Sequence, residues 1–270
     1  MKRVLQLIPM IMIIALTGTS HAASLQAIQG DVVTTELSST SSTMRLWCFG
    51  KMWPVKKQEN GSWKGWIGVD LKTKPTSYPV EWSDGKTVIA RETLDVTKGE
   101  FRISHIQVKK KMAEFDAPTL SRIRKEVKAL KATYVEKVDA NPDISMSGKP
   151  TEGIESTPFG AQRYVNGAAR SPHSGIDIAA VSGSAINTPL AGKVLFAGEM
   201  YLNGNTVAIG HGNGLVSVFS HMRVIHVKKG AWVETHQLIG EVGATGRATG
   251  PHLHWGVRFN MARVNPESLL

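Results

Sequence analysis

The stretch that decides the fold of this chain is Gly246-Arg247-Ala248-Thr249-Gly250-Pro251-His252-Leu253-His254-Trp255. A glycine-bearing turn leads here into an extended segment, and residues two apart in such a segment point to the same face. His252 and His254 are therefore predicted to face one pocket while Leu253 packs behind them. A lone pair of this kind also occurs by chance in ordinary strands, so its meaning depends on a partner elsewhere in the chain.

A partner for this pair lies upstream, in His173-Ser174-Gly175-Ile176-Asp177. It adds a third imidazole and a carboxylate, and zinc takes nitrogen and oxygen ligands of these types at about 2.0–2.2 Å. Taken alone, the segment is equally compatible with a surface turn that carries an incidental histidine. The two clusters together predict a zinc site.

The spacing within the upstream cluster constrains its backbone. His173 and Asp177 are four residues apart, and in a flat strand their Cα atoms would be separated by about 13 Å. Two side chains cannot reach one ion across that gap. A helix would bring them together, but Pro172 and Gly175 disfavour a helix. The segment is therefore predicted to bend, with Gly175 as the point where the backbone turns.

At this point the sequence resembles the lysostaphin/LytM-type zinc metallopeptidases, which cut the peptide part of bacterial peptidoglycan. The resemblance covers roughly residues 150–265 and is not confined to the two clusters. It is carried by residues 163–167, 170–177, 219–222, 228–230 and 239–247. It implies an antiparallel β catalytic domain over residues 150–265 and one zinc ion per chain.

The same resemblance implies a role for each of five residues. His173, Asp177 and His254 are the expected zinc ligands, and His252 and His221 are the expected catalytic groups beside the metal. The sequence by itself does not decide which of His252 and His254 binds the ion. It also does not divide the work between His221 and His252, one of which orients or deprotonates water while the other stabilises the oxyanion or protonates the leaving amine.

Two functions of different classes are compatible with this family. The first is a zinc endopeptidase that hydrolyses peptidoglycan crosslinks, with the D-alanyl–diaminopimelate bond expected by resemblance. The second is a non-catalytic relative that binds and activates a cell-wall amidase, and such activators have lost metal ligands. The expected ligands and both expected catalytic histidines are present here, which favours the enzyme. Peptidoglycan is the expected partner, and a regulatory protein partner stays undefined.

The N-terminus predicts export from the cell. Residues 1–22 combine Lys2 and Arg3, an apolar run over residues 4–16, and the small-residue pattern Ser20-His21-Ala22. The run is shorter than the roughly 18 residues of a membrane-spanning helix, so no stable membrane insertion is expected after the signal is removed. The expected destination is the periplasm or the medium. The periplasm is favoured because no glycine-tract-binding wall domain is recognisable.

Charge and cysteine content are consistent with that destination. The formal charge is +10, from 32 basic and 22 acidic residues, and removal of Lys2 and Arg3 leaves +8. Such a surplus favours polyanions, and export argues for an anionic cell envelope rather than nucleic acid. A role in solubility alone is the alternative. Cys48 is the one cysteine; an internal disulfide is therefore excluded, and Cys48 is predicted to be a buried apolar residue.

Residues 24–110 are predicted to form a β-sandwich. Asn60-Gly61 and Asp84-Gly85 each separate two strand-like segments, which is typical of β-hairpins. Residues 63–69, followed by Lys74-Pro75, resemble the immunoglobulin-like domain that often precedes this type of peptidase. The aromatic set is compatible with a glycan-stacking surface, although a core is the favoured interpretation; it consists of Trp47, Trp53, Trp63, Trp66 and Trp82.

A helix over residues 116–138 is predicted between the two β regions. Its apolar residues recur at steps of three and four, and Pro118 suits a first turn. It is expected to be a linker that lies on one or both domains, with residues 141–158 following as a connection or a mobile flap. The chain is thus predicted to be mainly β, with a sandwich, a linker helix and a catalytic domain. His105, His211, His226 and His236 are interpreted as structural or surface residues.

Overall fold

The computed structural model describes residues 24–270, and these are mainly β with a single α-helix, as the sequence predicts. The predicted export signal, residues 1–22, lies outside the described residues. Between residues 24 and 270, no helix has both the length and the apolar character needed to cross a membrane.

The N-terminal half contains nine strands. They are β1 (Ser24–Ile28), β2 (Val32–Ser38), β3 (Arg45–Cys48), β4 (Lys51–Trp53), β5 (Val55–Lys57), β6 (Ser62–Gly68), β7 (Thr76–Ser83), β8 (Val88–Thr97) and β9 (Ile103–Ile106). One sheet has the order β1-β8-β7-β3-β4 and a second has the order β2-β6-β5. Neighbours are antiparallel except for the parallel pair β1 and β8.

Both predicted hairpins are confirmed. Strands β5 and β6 pair across the turn at Asn60-Gly61, where the Gly61 N–H donates to Gln58 O at 3.0 Å. Strands β7 and β8 pair across Asp84-Gly85. The two sheets pack face to face so closely that a Cβ on Gly65 would lie 2.4 Å from the Leu46 side chain of the other sheet. The N-terminal half is therefore a sandwich, while its likeness to an immunoglobulin-like domain stays a prediction.

Four of the five tryptophans of this half belong to the core. Trp53, Trp63, Trp66 and Trp82 are buried, which matches the favoured interpretation of the set. Trp47 is the exception, because 40% of its surface is exposed. Cys48 is buried and free, as predicted, and burial raises the pKa of its thiol to about 12.

The helix α1 (Ala117–Thr133) ends five residues before the predicted boundary at 138. Asp116 caps its N-terminus by accepting a hydrogen bond from the Thr119 N–H at 2.9 Å. Its apolar stripe is only partly used: Ile123 and Leu130 are buried, whereas Val127 is 37% exposed. The apolar spacing continues past the last helical turn, because Tyr134 and Val138 still pack against buried apolar residues after the helix has ended.

The C-terminal half contains thirteen strands. They are β10 (Ile154–Thr157), β11 (Gln162–Val165), β12 (Ala168–Ala169), β13 (Gly175–Ala179), β14 (Ala185–Asn187), β15 (Gly192–Met200), β16 (Gly204–Gly212), β17 (Leu215–Met222), β18 (Val224–Ile225), β19 (Trp232–Val233), β20 (Leu238–Glu241), β21 (His252–Phe259) and β22 (Ala262–Val264). Two short 3-10 helices span Lys110–Met112 and Pro266–Leu269. The large sheet has the order β10-β13-β21-β17-β16-β15-β19, with β22 added to β21.

Strand β17 explains how the large sheet is covered. Leu215 and Phe219 face the main core on one side. Val216 and Val218 face the other way and pack with Leu130 of α1 in a second cluster. Because both faces are covered, the strand is almost continuously buried. The helix therefore lies on the C-terminal half.

The two β regions are joined by direct contacts as well as by the chain. The ring centroids of Trp53 and Phe259 lie 5.2 Å apart, and Lys51 Nζ donates to the Asn260 carbonyl oxygen at 2.7 Å. Asp70 accepts from Arg263, with 3.0 Å between Oδ2 and Nε. One cluster of buried apolar residues draws members from both halves. Independent folding of the domains predicted at 24–110 and 150–265 stays a prediction.

We expect Asp70→Asn to weaken the protein in a pH-dependent manner. Burial alone would raise the pKa of Asp70, but the hydrogen bonds from Arg263 dominate and lower it. A lowered folded-state pKa contributes stability that is present above about pH 4 and is lost as the pH falls through the folded-state value. Because the pair is partly exposed, the expected loss in the free energy of unfolding at pH 7 is about 1–2 kcal/mol.

Urea unfolding of the Asp70→Asn variant at pH 7 and pH 3 measures this loss, which should shrink at the lower pH. The matched control is Asp143→Asn, which removes a second ion pair between the halves, with Lys56. Because that pair is more exposed, the control should change stability by less than about 0.5 kcal/mol. Equal losses in both variants, or a loss independent of pH, would contradict the expectation.

Candidate active site

Three adjacent strands of the large sheet carry most of the predicted site. Strand β21 lies between β13 and β17, and Asp177 on β13 is directly opposite His254 on β21. On the other side, His254 is opposite Ser220, the residue before His221 on β17. Directly opposite residues are near neighbours on one face of a sheet. The register therefore gathers side chains that lie 77 residues apart in sequence.

The alternation predicted for strand β21 is present. His252 and His254 keep partial exposure on one face, whereas Leu253 and Trp255 are fully buried on the other. This is the arrangement expected from the two-residue period of an extended segment.

The upstream cluster is not one straight strand, as predicted, but the irregular backbone precedes Gly175 rather than centring on it. Strand β13 begins only at Gly175, and His173 lies before it, where its N–H donates to Ala161 O at 2.8 Å. Gly175 is required for close approach rather than for an unusual backbone angle, because a Cβ there would lie 2.3 Å from Trp255 O. This bend lets His173 and Asp177 reach the same point, with 2.9 Å between Nε2 and Oδ1.

Three atoms that can bind a metal ion through a lone pair lie close together at that point. His173 Nε2 lies 2.9 Å from His254 Nδ1, and His254 Nδ1 lies 2.8 Å from Asp177 Oδ1. Burial opposes the charge on Asp177, but contacts with His173 and His254 hold the pKa of its carboxyl far below the ordinary range. Burial also lowers the pKa of His254 to about 4. At neutral pH the cluster thus offers a carboxylate and a neutral imidazole.

The protonation pattern of this cluster suits a cation. His173 Nδ1 lies 3.0 Å from Pro158 O, and a carbonyl oxygen can only accept, so in the neutral ring Nδ1 carries the proton and Nε2 a lone pair. Asp177 Oδ1 is also an acceptor. The three contacts among His173 Nε2, Asp177 Oδ1 and His254 Nδ1 therefore share at most one proton, which is carried by His254 Nδ1. A buried group of lone pairs in mutual contact fits a bound metal ion, and His173, Asp177 and His254 could hold it.

Arg163 is a member of this site whose role was not predicted from the sequence. Its guanidinium donates to Asp177 Oδ2 at 2.8 Å, the carboxylate oxygen turned away from the two imidazoles. Such a contact fixes the orientation of a ligand carboxylate. The signal available in the sequence was only that Arg163 belongs to a segment that resembles the peptidase family.

His221 lies at the end of β17 in a left-handed backbone conformation, with φ of 65°. Non-glycine residues rarely adopt this conformation, and it occurs preferentially at functional sites. The His221 N–H donates to Asn203 O at 2.8 Å, and Nδ1 lies 2.8 Å from Thr245 O. Nδ1 therefore carries the proton. Burial, followed by the neighbouring His252, lowers the pKa of His221 to about 3, so its Nε2 is an acceptor.

His252 is held in the same manner. Its Nδ1 lies 2.9 Å from Gly250 O, which again assigns the proton to Nδ1 in the neutral ring. The ring centroids of His221 and His252 are 4.7 Å apart, and those of His221 and His254 are 6.3 Å apart. Among residues 24–270, neither His221 Nε2 nor His252 Nε2 has a hydrogen-bond partner. Two nitrogen atoms that can accept a proton therefore lie beside the cluster of His173, Asp177 and His254, which is called the metal-binding cluster below.

The four other histidines among residues 24–270 lie away from this arrangement. His211 is buried, with Nδ1 facing Ala191 O and Nε2 facing Ser217 Oγ, both at 2.9 Å. Burial lowers its pKa to about 4, which keeps it neutral and structural. His226 is exposed and lies 3.2 Å from Glu241, and His105 stacks on Tyr164.

The segment 103–116 lies beside the cleft. Its strand β9 pairs in parallel with β11, and Ile106 lines a cavity of about 230 Å³ that reaches His221 and His252. Residues 141–158, interpreted from the sequence as a connection or a mobile flap, form an anchored connection. Ile144 and Met146 are buried, and the Met146 N–H donates to Leu269 O at 2.7 Å.

Comparison with known proteins agrees with this fold. The sequence profile of peptidase family M23 matches residues 171–266. A crystal structure described as a peptidase M23 from Pseudomonas aeruginosa superposes with a TM-score of 0.72 at 33% identity, over 90% of this chain and 94% of that one. The chain belongs to peptidase family M23, which confirms the family inferred from the sequence.

Curated relatives share a shorter region. The DD-carboxypeptidase/endopeptidase Mpg of Neisseria gonorrhoeae is 38% identical over 114 residues, which are 42% of this chain and 26% of that protein. The peptidoglycan DD-endopeptidase ShyA of Vibrio cholerae is 42% identical over 94 residues, 35% of this chain and 22% of that protein. The chain thus spans about a quarter of the length of the curated relatives it matches.

Proposed function

We propose that this chain is a zinc-dependent endopeptidase that hydrolyses peptide crosslinks of bacterial peptidoglycan. The observation that carries the proposal is the convergence of His173 Nε2, Asp177 Oδ1 and His254 Nδ1 beside two imidazoles with free Nε2 atoms. Three protein ligands are typical of catalytic zinc, whereas structural zinc sites use four. Peptidoglycan as substrate is supported by the names of relatives such as ShyA.

His173, Asp177 and His254 are the residues that would hold zinc. When bound in such a set, zinc supplies Lewis-acid chemistry, polarising a carbonyl and lowering the pKa of water. Arg163 keeps Asp177 in position through its contact with Oδ2. Pro158 O does the same for the His173 ring through Nδ1.

His221 and His252 supply the proton transfers. Each has its Nδ1–H committed to a backbone carbonyl, so each Nε2 can accept a proton from attacking water. A ring protonated in that way can return the proton to the leaving amine or donate to the oxygen that becomes negative. A donor aimed at such an oxygen typically contributes about 2.7–4 kcal/mol.

The proposed scissile bond is the D-alanyl–diaminopimelate crosslink. Relatives named DD-endopeptidase and DD-carboxypeptidase support this choice. The proposed location is the periplasm or the medium after export, where a formal charge of +8 on the mature chain suits an anionic envelope. Activation of an amidase without catalysis is not favoured, because the predicted ligands and both histidines are present and lie together.

Metal removal and digestion of purified peptidoglycan test the proposal together. We expect the isolated protein to carry one zinc per chain, to convert crosslinked muropeptide dimers to monomers, and to lose this activity in a chelator. Added zinc should restore it. Mass spectrometry of the products identifies the bond that is cut. Intact dimers after incubation with the zinc-loaded protein would refute the proposed function.

A further inference from the structure

Three arginines line the cleft beside the metal-binding cluster. Arg163, Arg170 and Arg247 border a cavity of about 340 Å³ that also reaches His221 and His254. Arg163 and Arg247 additionally border the 230 Å³ cavity that reaches His252. Among residues 24–270, Asp177 is the one acidic side chain on these walls, and it borders the 230 Å³ cavity. The cleft therefore has an excess of positive charge where a substrate must lie.

The three arginines differ in their partners. Arg163 donates to Asp177 Oδ2, and Arg170 donates to the Ala113 carbonyl oxygen at 3.1 Å. The guanidinium of Arg247 has no hydrogen-bond or ion-pair partner among residues 24–270, although the side chain is half-buried. Its backbone is fixed, because the Arg247 N–H donates to Leu202 O at 2.8 Å.

This arrangement is electrostatically unfavourable without a ligand. Burial, followed by the like charges of Arg163 and Arg170, lowers the pKa of Arg247. A half-buried guanidinium that is not hydrogen-bonded costs free energy, which an anion between the arginines would offset. The planar guanidinium matches a carboxylate through two parallel hydrogen bonds.

We propose that Arg247, with Arg170 beside it, binds a free carboxylate of the substrate on the residue whose amine leaves when the peptide bond is cut. This inference rests on the proposed function for the choice of substrate. In the D-alanyl–diaminopimelate crosslink, the acylated amine sits on a carbon that keeps a free carboxylate. A terminal D-alanyl-D-alanine bond has the same feature. Arg247 would therefore select bonds of this class over crosslinks whose leaving residue has no such carboxylate.

Binding of the leaving fragment tests the inference without requiring cleavage. The ligand is the diaminopimelate tetrapeptide whose free amine lies next to a free carboxylate, compared with the same peptide carrying a carboxamide in place of that carboxylate. Calorimetry with the zinc-loaded full chain should show that the free acid binds about 10- to 100-fold more tightly, the usual range for a hydrogen bond to a charged group. In the Arg247→Gln variant this preference should disappear, because the affinity of the variant for the free acid should fall to its affinity for the carboxamide.

Two further variants make the result specific. Arg247→Lys keeps the positive charge but cannot form two parallel hydrogen bonds to a carboxylate, so it should retain a reduced preference for the free acid. Arg91→Gln removes one positive charge from the exposed ion pair between Arg91 on β8 and Glu81 on β7, and the preference of this variant should equal that of the wild type. Circular dichroism confirms that each variant is folded. Equal affinity of the wild type for both peptides, or no measurable binding of the free acid, overturns the proposal.

Cleavage of the corresponding crosslinked dimers separates this inference from the proposed function. If the zinc-loaded wild type cuts neither dimer yet binds the free-acid fragment through Arg247, the proposed function fails and the carboxylate site stands. If it cuts both dimers with equal kcat/KM and Arg247→Gln changes both equally, the function stands and the carboxylate site is refuted.

Discussion

His254→Ala is expected to lose both its bound metal and its hydrolytic activity. His254 Nδ1 is one of three donor atoms that lie within 2.9 Å of each other, and its removal leaves one imidazole and one carboxylate. Two protein ligands are fewer than catalytic zinc sites use. We expect zinc content to fall from about one per chain to near zero, and turnover to fall on the order of 10⁴-fold.

The control for this variant is His226→Ala, which removes an exposed imidazole that contacts Glu241 away from the cleft. It should keep both zinc and activity. Atomic emission and muropeptide release are measured on the same preparations, with circular dichroism to verify folding. Full zinc occupancy in the His254→Ala protein would remove His254 from the ligand set.

Much of the fold was predictable because its signals are local. The pairs Asn60-Gly61 and Asp84-Gly85 fix two hairpins through turn chemistry that depends on adjacent residues. The spacing of His252 and His254 fixes their common face through the period of an extended chain. The bend before Gly175 followed from the reach of two side chains to one ion. Each of these inferences uses residues within a few positions of one another.

What could not be predicted depends on which strands become neighbours. Nothing in the local sequence places Asp177 opposite His254, since that register is set by packing across the whole sheet. The roles of Arg163 and Arg247 depend on the same assembly. The helix was predicted too long because the apolar residues Tyr134 and Val138 continue to pack on the sheet after the helical backbone has ended at Thr133.

His221 shows the same limit in its backbone. The alternation of β17 places Leu215 and Phe219 on one face, as found, but it also predicts His221 on that face, whereas His221 lies beside His252. The alternation gives no sign that His221 adopts a φ of 65°. This conformation, together with the hydrogen bond between Nδ1 and Thr245 O, turns the ring towards His252. Strain at one residue therefore brings a strand-end histidine into the site, and it is stabilised by contacts distant in sequence.

His221→Ala is expected to keep its zinc and to lose most of its turnover. No donor atom of the metal-binding cluster belongs to His221, so zinc content should stay near one per chain. The variant removes a proton acceptor whose contribution is typically about 10²- to 10⁴-fold in rate. Parallel measurements of zinc content and of the rate of muropeptide cleavage test both statements.

The backbone at His221 requires a second variant, because alanine at a φ of 65° introduces strain of its own. Asparagine tolerates the left-handed conformation better than alanine does, but its amide side chain cannot accept a proton at neutral pH. His221→Asn should therefore be the more stable of the two in thermal unfolding and yet lose a similar factor in turnover. If His221→Asn instead recovers near-wild-type turnover while His221→Ala does not, the role of His221 is to hold the backbone, and proton transfer must be assigned to His252.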